Sequence, residues 1–133
     1  MSEPTAIRSL GEIALRVNNL PVMKRFYGEV LRLPTLGEFP NAVFFNVGES
    51  YGGHTQVIAL FDRSVEVSQR GSTVDHIAFA IALDEFEREK SRLELLGLSV
   101  ELATHKWVKW RSLYLRDPEG NQVELVCYDP AVV

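Results

Sequence analysis

An α+β fold built from two β-α-β-β-β modules is what this chain of 133 residues predicts, and three observations carry it. Two stretches, Glu12–Val17 and Asp75–Ile81, alternate apolar residues with small or ionisable ones, and each is followed by an amphipathic helical pattern. The polar stretch 62–72 separates them, after which the pattern restarts. The chain then closes on two alternating runs around Asp117-Pro118-Glu119-Gly120, a tight-turn sequence with Asp at i, Pro at i+1 and Gly at i+3. The expectation is a single domain, 1–133, with module 1 at about 8–62 and module 2 at about 73–128.

In the first strand Ile13, Leu15 and Val17 share one face, and Glu12, Ala14 and Arg16 the other. Asn18-Asn19 offers a helix cap and Pro21 suits a first turn. Met23, Phe26, Tyr27, Val30 and Leu31 then fall on one helical face, and Pro34 stops the helix. Strands are expected over Ala42–Val47 and Gln56–Phe61, with room for a short one at Thr35–Phe39. In the second half Ile77, Phe79 and Ile81 lie opposite His76, Ala78 and Ala80. A helix is expected over Asp84–Leu96, with Phe86, Leu93 and Leu96 inward and Gly97 as its C-terminal cap. Ser99–Ala103 is a short strand. In the final hairpin, Leu113 and Leu115 lie opposite Ser112, Tyr114 and Arg116, while Val123 and Leu125 lie opposite Gln122, Glu124 and Val126.

Composition narrows the function classes. The chain is 46% hydrophobic and 24% charged with a net charge of −4, so nothing favours nucleic acid or a membrane surface as partner. The apolar runs are too short to span a bilayer, and Met1–Ser9 lacks the apolar core of a signal peptide. The single cysteine, Cys127, excludes an internal disulfide and fits a reducing cytoplasm. The partner expected is a small molecule.

The apolar faces need cover, and the two helices are available for it. The opposite faces then line the inside of a curved sheet and carry Glu12, Arg16, His76, Glu124 and Tyr114, with Ala14, Ala78 and Ala80 leaving space between them. Two carboxylates and an imidazole around a cavity suit a divalent cation.

The segments LGEIALRVNNL, FYGEVLRL, VDHIAFAI and DPEGNQVELV resemble the vicinal oxygen chelate superfamily, which includes glyoxalase I, extradiol dioxygenases, fosfomycin resistance enzymes and bleomycin resistance proteins. The resemblance covers nearly the whole chain and implies two modules forming an open cup. Of the four strand positions that can carry metal ligands in that superfamily, it puts the first on Glu12, the third on His76 and the fourth on Glu124. The second falls near Ala59, which is no ligand. The implied cofactor is a divalent metal ion: Fe²⁺ or Mn²⁺ first, with Mg²⁺, Ni²⁺ and Zn²⁺ as alternatives. Pairing of modules between chains in the superfamily implies a homodimer.

His105, Tyr114 and Glu124 also keep a spacing similar to that of catechol 2,3-dioxygenases, nine residues and then ten. This implies catalytic roles for all three, Glu124 being also the metal ligand. The catalytic His expected ahead of the third ligand has no match: Phe61 sits near that distance and His54 is out of register. The leaning is therefore towards extradiol dioxygenase-like chemistry on a substrate bound through two neighbouring oxygens. One alternative is a glyoxalase I-like isomerase. The other is a metal-free protein that sequesters a ligand, in the bleomycin-resistance manner, in a groove lined by Trp107, Trp110, Phe44, Phe45 and Tyr51.

Overall fold

The computed structural model describes residues 10, 12–49, 55–63, 74 and 76–133. Met1–Ser9, Tyr51, His54 and most of the polar connection fall outside them. The chain divides into two compact units, Met1–Ser68 and Gln69–Val133, each built on one four-stranded mixed sheet.

The first unit contains β1 (Glu12–Val17), α1 (Leu20–Arg25), β2 (Thr35–Phe39), β3 (Ala42–Glu49) and β4 (Thr55–Asp62). Its sheet runs β1-β4-β3-β2, with β1 parallel to β4 and the other pairs antiparallel. Asn19 caps α1, its side chain accepting from Val22 N–H at 3.1 Å, and Pro21 lies in the first turn. The helix widens into a π-turn over Phe26–Val30, closed by Leu31 N–H donating to the Phe26 carbonyl at 2.9 Å. Met23, Phe26 and Tyr27 are buried as expected, but the π-turn rotates Val30 and Leu31 away from full burial. The helix stops at Leu31 and Arg32, the latter with φ 60°, ahead of Pro34. Gly28 belongs here for a packing reason: a Cβ on it would stand 3.2 Å from the Phe45 ring. Phe45, Ile58 and Leu60 are fully buried, and Phe45 closes the floor of a recess bounded by Pro21, Gly28 and Thr35.

The second unit contains β5 (His76–Ala80), α2 (Phe86–Leu95, entered through a 3₁₀ turn at Leu83–Glu85), β6 (Glu101–His105), β7 (Trp110–Arg116) and β8 (Gln122–Tyr128). Its sheet repeats the first one's order as β5-β8-β7-β6, with β5 parallel to β8. Phe86 and Leu93 anchor α2 on the sheet. Arg111 of β7 lies over the Phe86 ring at 4.3 Å and reaches Glu87 at 3.1 Å, which places the helix on the Leu113 and Leu115 face. Leu96, expected inward, is 56% exposed. It is the capping residue, and the chain reverses just after it at Gly97 (φ 85°), with Leu98 N–H returning to the Leu93 carbonyl at 3.2 Å. The sixth strand also lies later than Ser99–Ala103, since His105 pairs with Trp110 and so belongs to the sheet. Among the described residues no helix is long and apolar enough to cross a membrane.

The final turn forms as its sequence predicts. Gly120 N–H donates to the Asp117 carbonyl at 2.9 Å with Gly120 at φ 85°. Asp117 Oδ1 accepts from Glu119 N–H and Asn121 N–H, both at 2.9 Å, and Oδ2 from the Asn121 side chain at 2.8 Å. This small knot sets the hairpin register, in which Tyr114 stands opposite Glu124.

Candidate functional site

In the second unit, the face turned away from α2 carries a cluster of ionisable and hydroxyl side chains. Glu124 pairs across β5 with Ala78 and across β7 with Tyr114. Same-face neighbours along those strands are His76 and Ser112, and the next strand adds His105, which pairs with Trp110. Ala78 and Ala80 are exposed and leave the face open beside His76.

Glu124 is the centre of the cluster and only 5% exposed. Ser112, fully buried, donates its hydroxyl hydrogen to Glu124 Oε2 at 2.5 Å. His76 Nε2 lies 3.1 Å from Oε1, and His105 Nε2 lies 4.0 Å from Oε2. His105 Nε2 and the Tyr114 hydroxyl share a hydrogen bond of 2.9 Å. Tyr114 stands between the two imidazoles, edge-on to both, at 6.4 Å from His76 and 6.5 Å from His105. Burial, then the Glu124 carboxylate, push the Tyr114 hydroxyl above the ordinary phenol value, while its hydrogen bond to Ser112 pulls the other way. The phenol therefore stays protonated at neutral pH.

Cys127 lies on the helix-covered face and is buried. Burial raises its thiol pKa against the pull of Arg111, which makes it unreactive core.

Of the sequence-predicted residues, the structure thus brings together His76, His105, Tyr114 and Glu124. Glu12 opens β1 in the first unit, at the place His76 takes in β5, and is exposed. The registers of the two units match. Ala14 pairs with Ala59 as Ala78 pairs with Glu124, so Ala59, fully buried, is the first unit's counterpart of Glu124 and carries no donor. Phe44 stands opposite Ala59 as Tyr114 stands opposite Glu124, without the hydroxyl. Sequence reading did not single out Ser112, which the structure joins to the cluster through Glu124. The available signal was its place on the Tyr114 face two residues away, where a buried hydroxyl needs a partner.

A divalent cation fits part of this site. The 3.1 Å between His76 Nε2 and Glu124 Oε1 is close to the separation, about 3 Å, of two adjacent ligands in an octahedral shell with bonds of about 2.1 Å. One imidazole nitrogen with one carboxylate oxygen suits a first-row divalent metal. Among the described residues no group of three or more His, Cys, Asp or Glu is gathered tightly enough to hold an ion, so these two are a partial set.

The sequence profile of the Glyoxalase/Bleomycin resistance protein/Dioxygenase superfamily matches residues 9–125. The chain belongs to this superfamily. Glyoxalase-superfamily relatives agree in extent. "Glutathione transferase FosA" of Serratia marcescens is 26% identical over 90% of this chain and 80% of its own length. "Metallothiol transferase FosB" of Staphylococcus epidermidis is 22% identical over 90% of this chain and 81% of its own. Among solved structures, a lactoylglutathione lyase from Agrobacterium tumefaciens is 29% identical, covers 95% of this chain and 96% of its own, and superposes with a TM-score of 0.66. The α+β fold with two four-stranded mixed sheets is thus the glyoxalase/bleomycin resistance/dioxygenase fold.

Proposed function

We propose that this protein is a divalent-metal-dependent enzyme that binds a small substrate through two neighbouring oxygens. The observation that carries the reading is the buried Glu124 carboxylate, facing His76 on one oxygen and flanked by the His105–Tyr114 hydrogen bond on the other side. His76 and Glu124 would hold the ion. Glu12 is proposed as the third ligand from the superfamily's strand pattern and its equivalence to His76 within its module. Fe²⁺ or Mn²⁺ suits this one-nitrogen, two-carboxylate set best. When bound, such an ion would polarise two adjacent substrate oxygens.

The chain's own residues supply the proton handling. The Tyr114 hydroxyl, kept protonated, donates a hydrogen bond to a substrate oxygen beside Glu124. His105 Nε2, 2.9 Å from that hydroxyl, takes up or returns the proton. The open Ala78 and Ala80 surface admits the substrate. This arrangement supports ring opening of a catechol-like diol as the first activity to test. A second reading, transfer to a thiol, is favoured by the names of the two curated relatives, both thiol-using transferases.

The test is metal analysis of the reconstituted protein, followed by parallel assays. Oxygen uptake with catechols in the Fe²⁺ form supports the first activity. Thiol consumption with glutathione and an electrophile panel including fosfomycin, in the Mn²⁺ form, supports the second. Isomerisation of hemithioacetals would instead place the chain with the glyoxalases. Tight binding of an aromatic compound by protein that takes up no metal would overturn the enzyme reading in favour of sequestration.

A further inference from the structure

Glu124 has two oxygens, and the structure treats them differently. Oε2 is taken by the Ser112 hydroxyl at 2.5 Å, a short charge-assisted bond inside the sheet. Oε1 is left towards His76 Nε2 at 3.1 Å. Ser112 is fully buried and the Glu124 side chain 6% exposed, so the bond is shielded from competing water. Without the bond, the carboxylate could turn about its last torsion, which is broad and roughly two-fold.

We infer that Ser112 is a positioning residue, whose hydroxyl occupies Glu124 Oε2 so that Glu124 presents a single oxygen, Oε1, beside His76. This rests on the metal-dependent reading above and deepens it. A carboxylate held this way takes one coordination place. A carboxylate released from Ser112 can offer both oxygens and take two, at the expense of a place that a substrate oxygen needs. Outer hydrogen bonds to ligating groups of this kind typically change metal affinity by about 10- to 100-fold.

The experiment uses Mn²⁺ alone as probe, with the full-length wild type, Ser112→Ala and Ser112→Thr. Mn²⁺ affinity is measured by calorimetry, and the number of exchangeable waters on the bound ion by water-proton relaxation. Ser112→Ala is expected to bind Mn²⁺ about tenfold more weakly or worse and to carry one inner water fewer, while Ser112→Thr, which keeps the hydroxyl, retains the wild-type water number. The water number is the deciding readout, since a merely structural loss would not move it. Ser112→Ala with wild-type affinity and water number overturns the inference alone. A wild type that binds no Mn²⁺ overturns the metal reading and the inference with it.

Discussion

Replacing Glu124 by Gln keeps the side chain's shape and removes its charge, so its effect on the metal-free protein measures how the carboxylate is held. Two terms oppose one another. Relieving a buried charge of its desolvation favours Gln by an amount on the order of 1–2 kcal/mol once most of the penalty is already offset by donors. Against this, the carboxylate accepts from Ser112 at 2.5 Å and lies 3.1 Å from His76. Each such bond weakens by roughly 1 kcal/mol when its acceptor becomes neutral, and the amide NH₂ must now stand where an acceptor stood. With two partners the losses, together with the misplaced amide, total about 2–3 kcal/mol, so Gln should destabilise the protein by about 1 kcal/mol net. For a chain of this length that corresponds to a fall in Tm of roughly 3–5 °C. Urea unfolding without metal at neutral pH, with the slope unchanged between variants, is the assay. A Gln variant as stable as wild type, or more stable, would mean that the carboxylate is strained rather than held, and the donor arrangement described here would be wrong.

Four further outcomes are expected. His76→Ala should abolish stoichiometric Mn²⁺ binding in calorimetry, because it removes the nitrogen donor 3.1 Å from Glu124 Oε1; wild-type binding would discard His76 as a ligand. Tyr114→Phe should flatten the alkaline limb of the stability curve. The folded-state value is raised, so Tyr114's contribution is full below about pH 10, where the unfolded chain gives up its proton, and is lost as pH climbs through the folded value; matching alkaline limbs for the two proteins would contradict the burial of that hydroxyl. Asp117→Ala removes the acceptor of three hydrogen bonds at 2.8–2.9 Å and should cost about 2–3 kcal/mol in urea unfolding, whereas a change under about 0.5 kcal/mol would show the turn to be held by its backbone alone. Light scattering should give the mass of a homodimer at micromolar concentration, the commonest symmetric assembly, and a monomer would remove that expectation.

Much of the fold was legible because alternation is a local property. The period-two patterns at Ile13 to Val17, His76 to Ala80 and Gln122 to Cys127 state which residues share a face, and the sheets keep those faces. The roles of Asn19 and Gly97 at helix ends and of Gly120 in the hairpin turn were legible for the same reason. The π-turn at Phe26–Val30 was not, since apolar spacing does not distinguish a single widened turn from a regular one. The site divides along the same line. The family resemblance picked out Glu12, His76 and Glu124 by strand position and His105 and Tyr114 by their spacing from Glu124, and the strand faces could be read from alternation. Ser112 escaped because its importance lies in a cross-strand hydrogen bond to Glu124, one that depends on register and on both groups being buried. Leu96 was misjudged because helical periodicity continues past the point where the backbone turns at Gly97.

The knot around Asp117 has a bearing on how this protein can change. Surface loops ordinarily absorb insertions and deletions with little harm. Here the loop lies at the base of the two strands that carry Ser112, Tyr114 and Glu124, and its length is their ruler. One residue more or fewer, unless taken up by a bulge, would slide β7 against β8 by a single step and turn Ser112 and Tyr114 towards the helix, exchanging them for Leu113 and Leu115. The tip of the hairpin is thus closed to variation in length. Any lineage that keeps this chemistry would have to conserve a count there as strictly as it conserves the residues of the site.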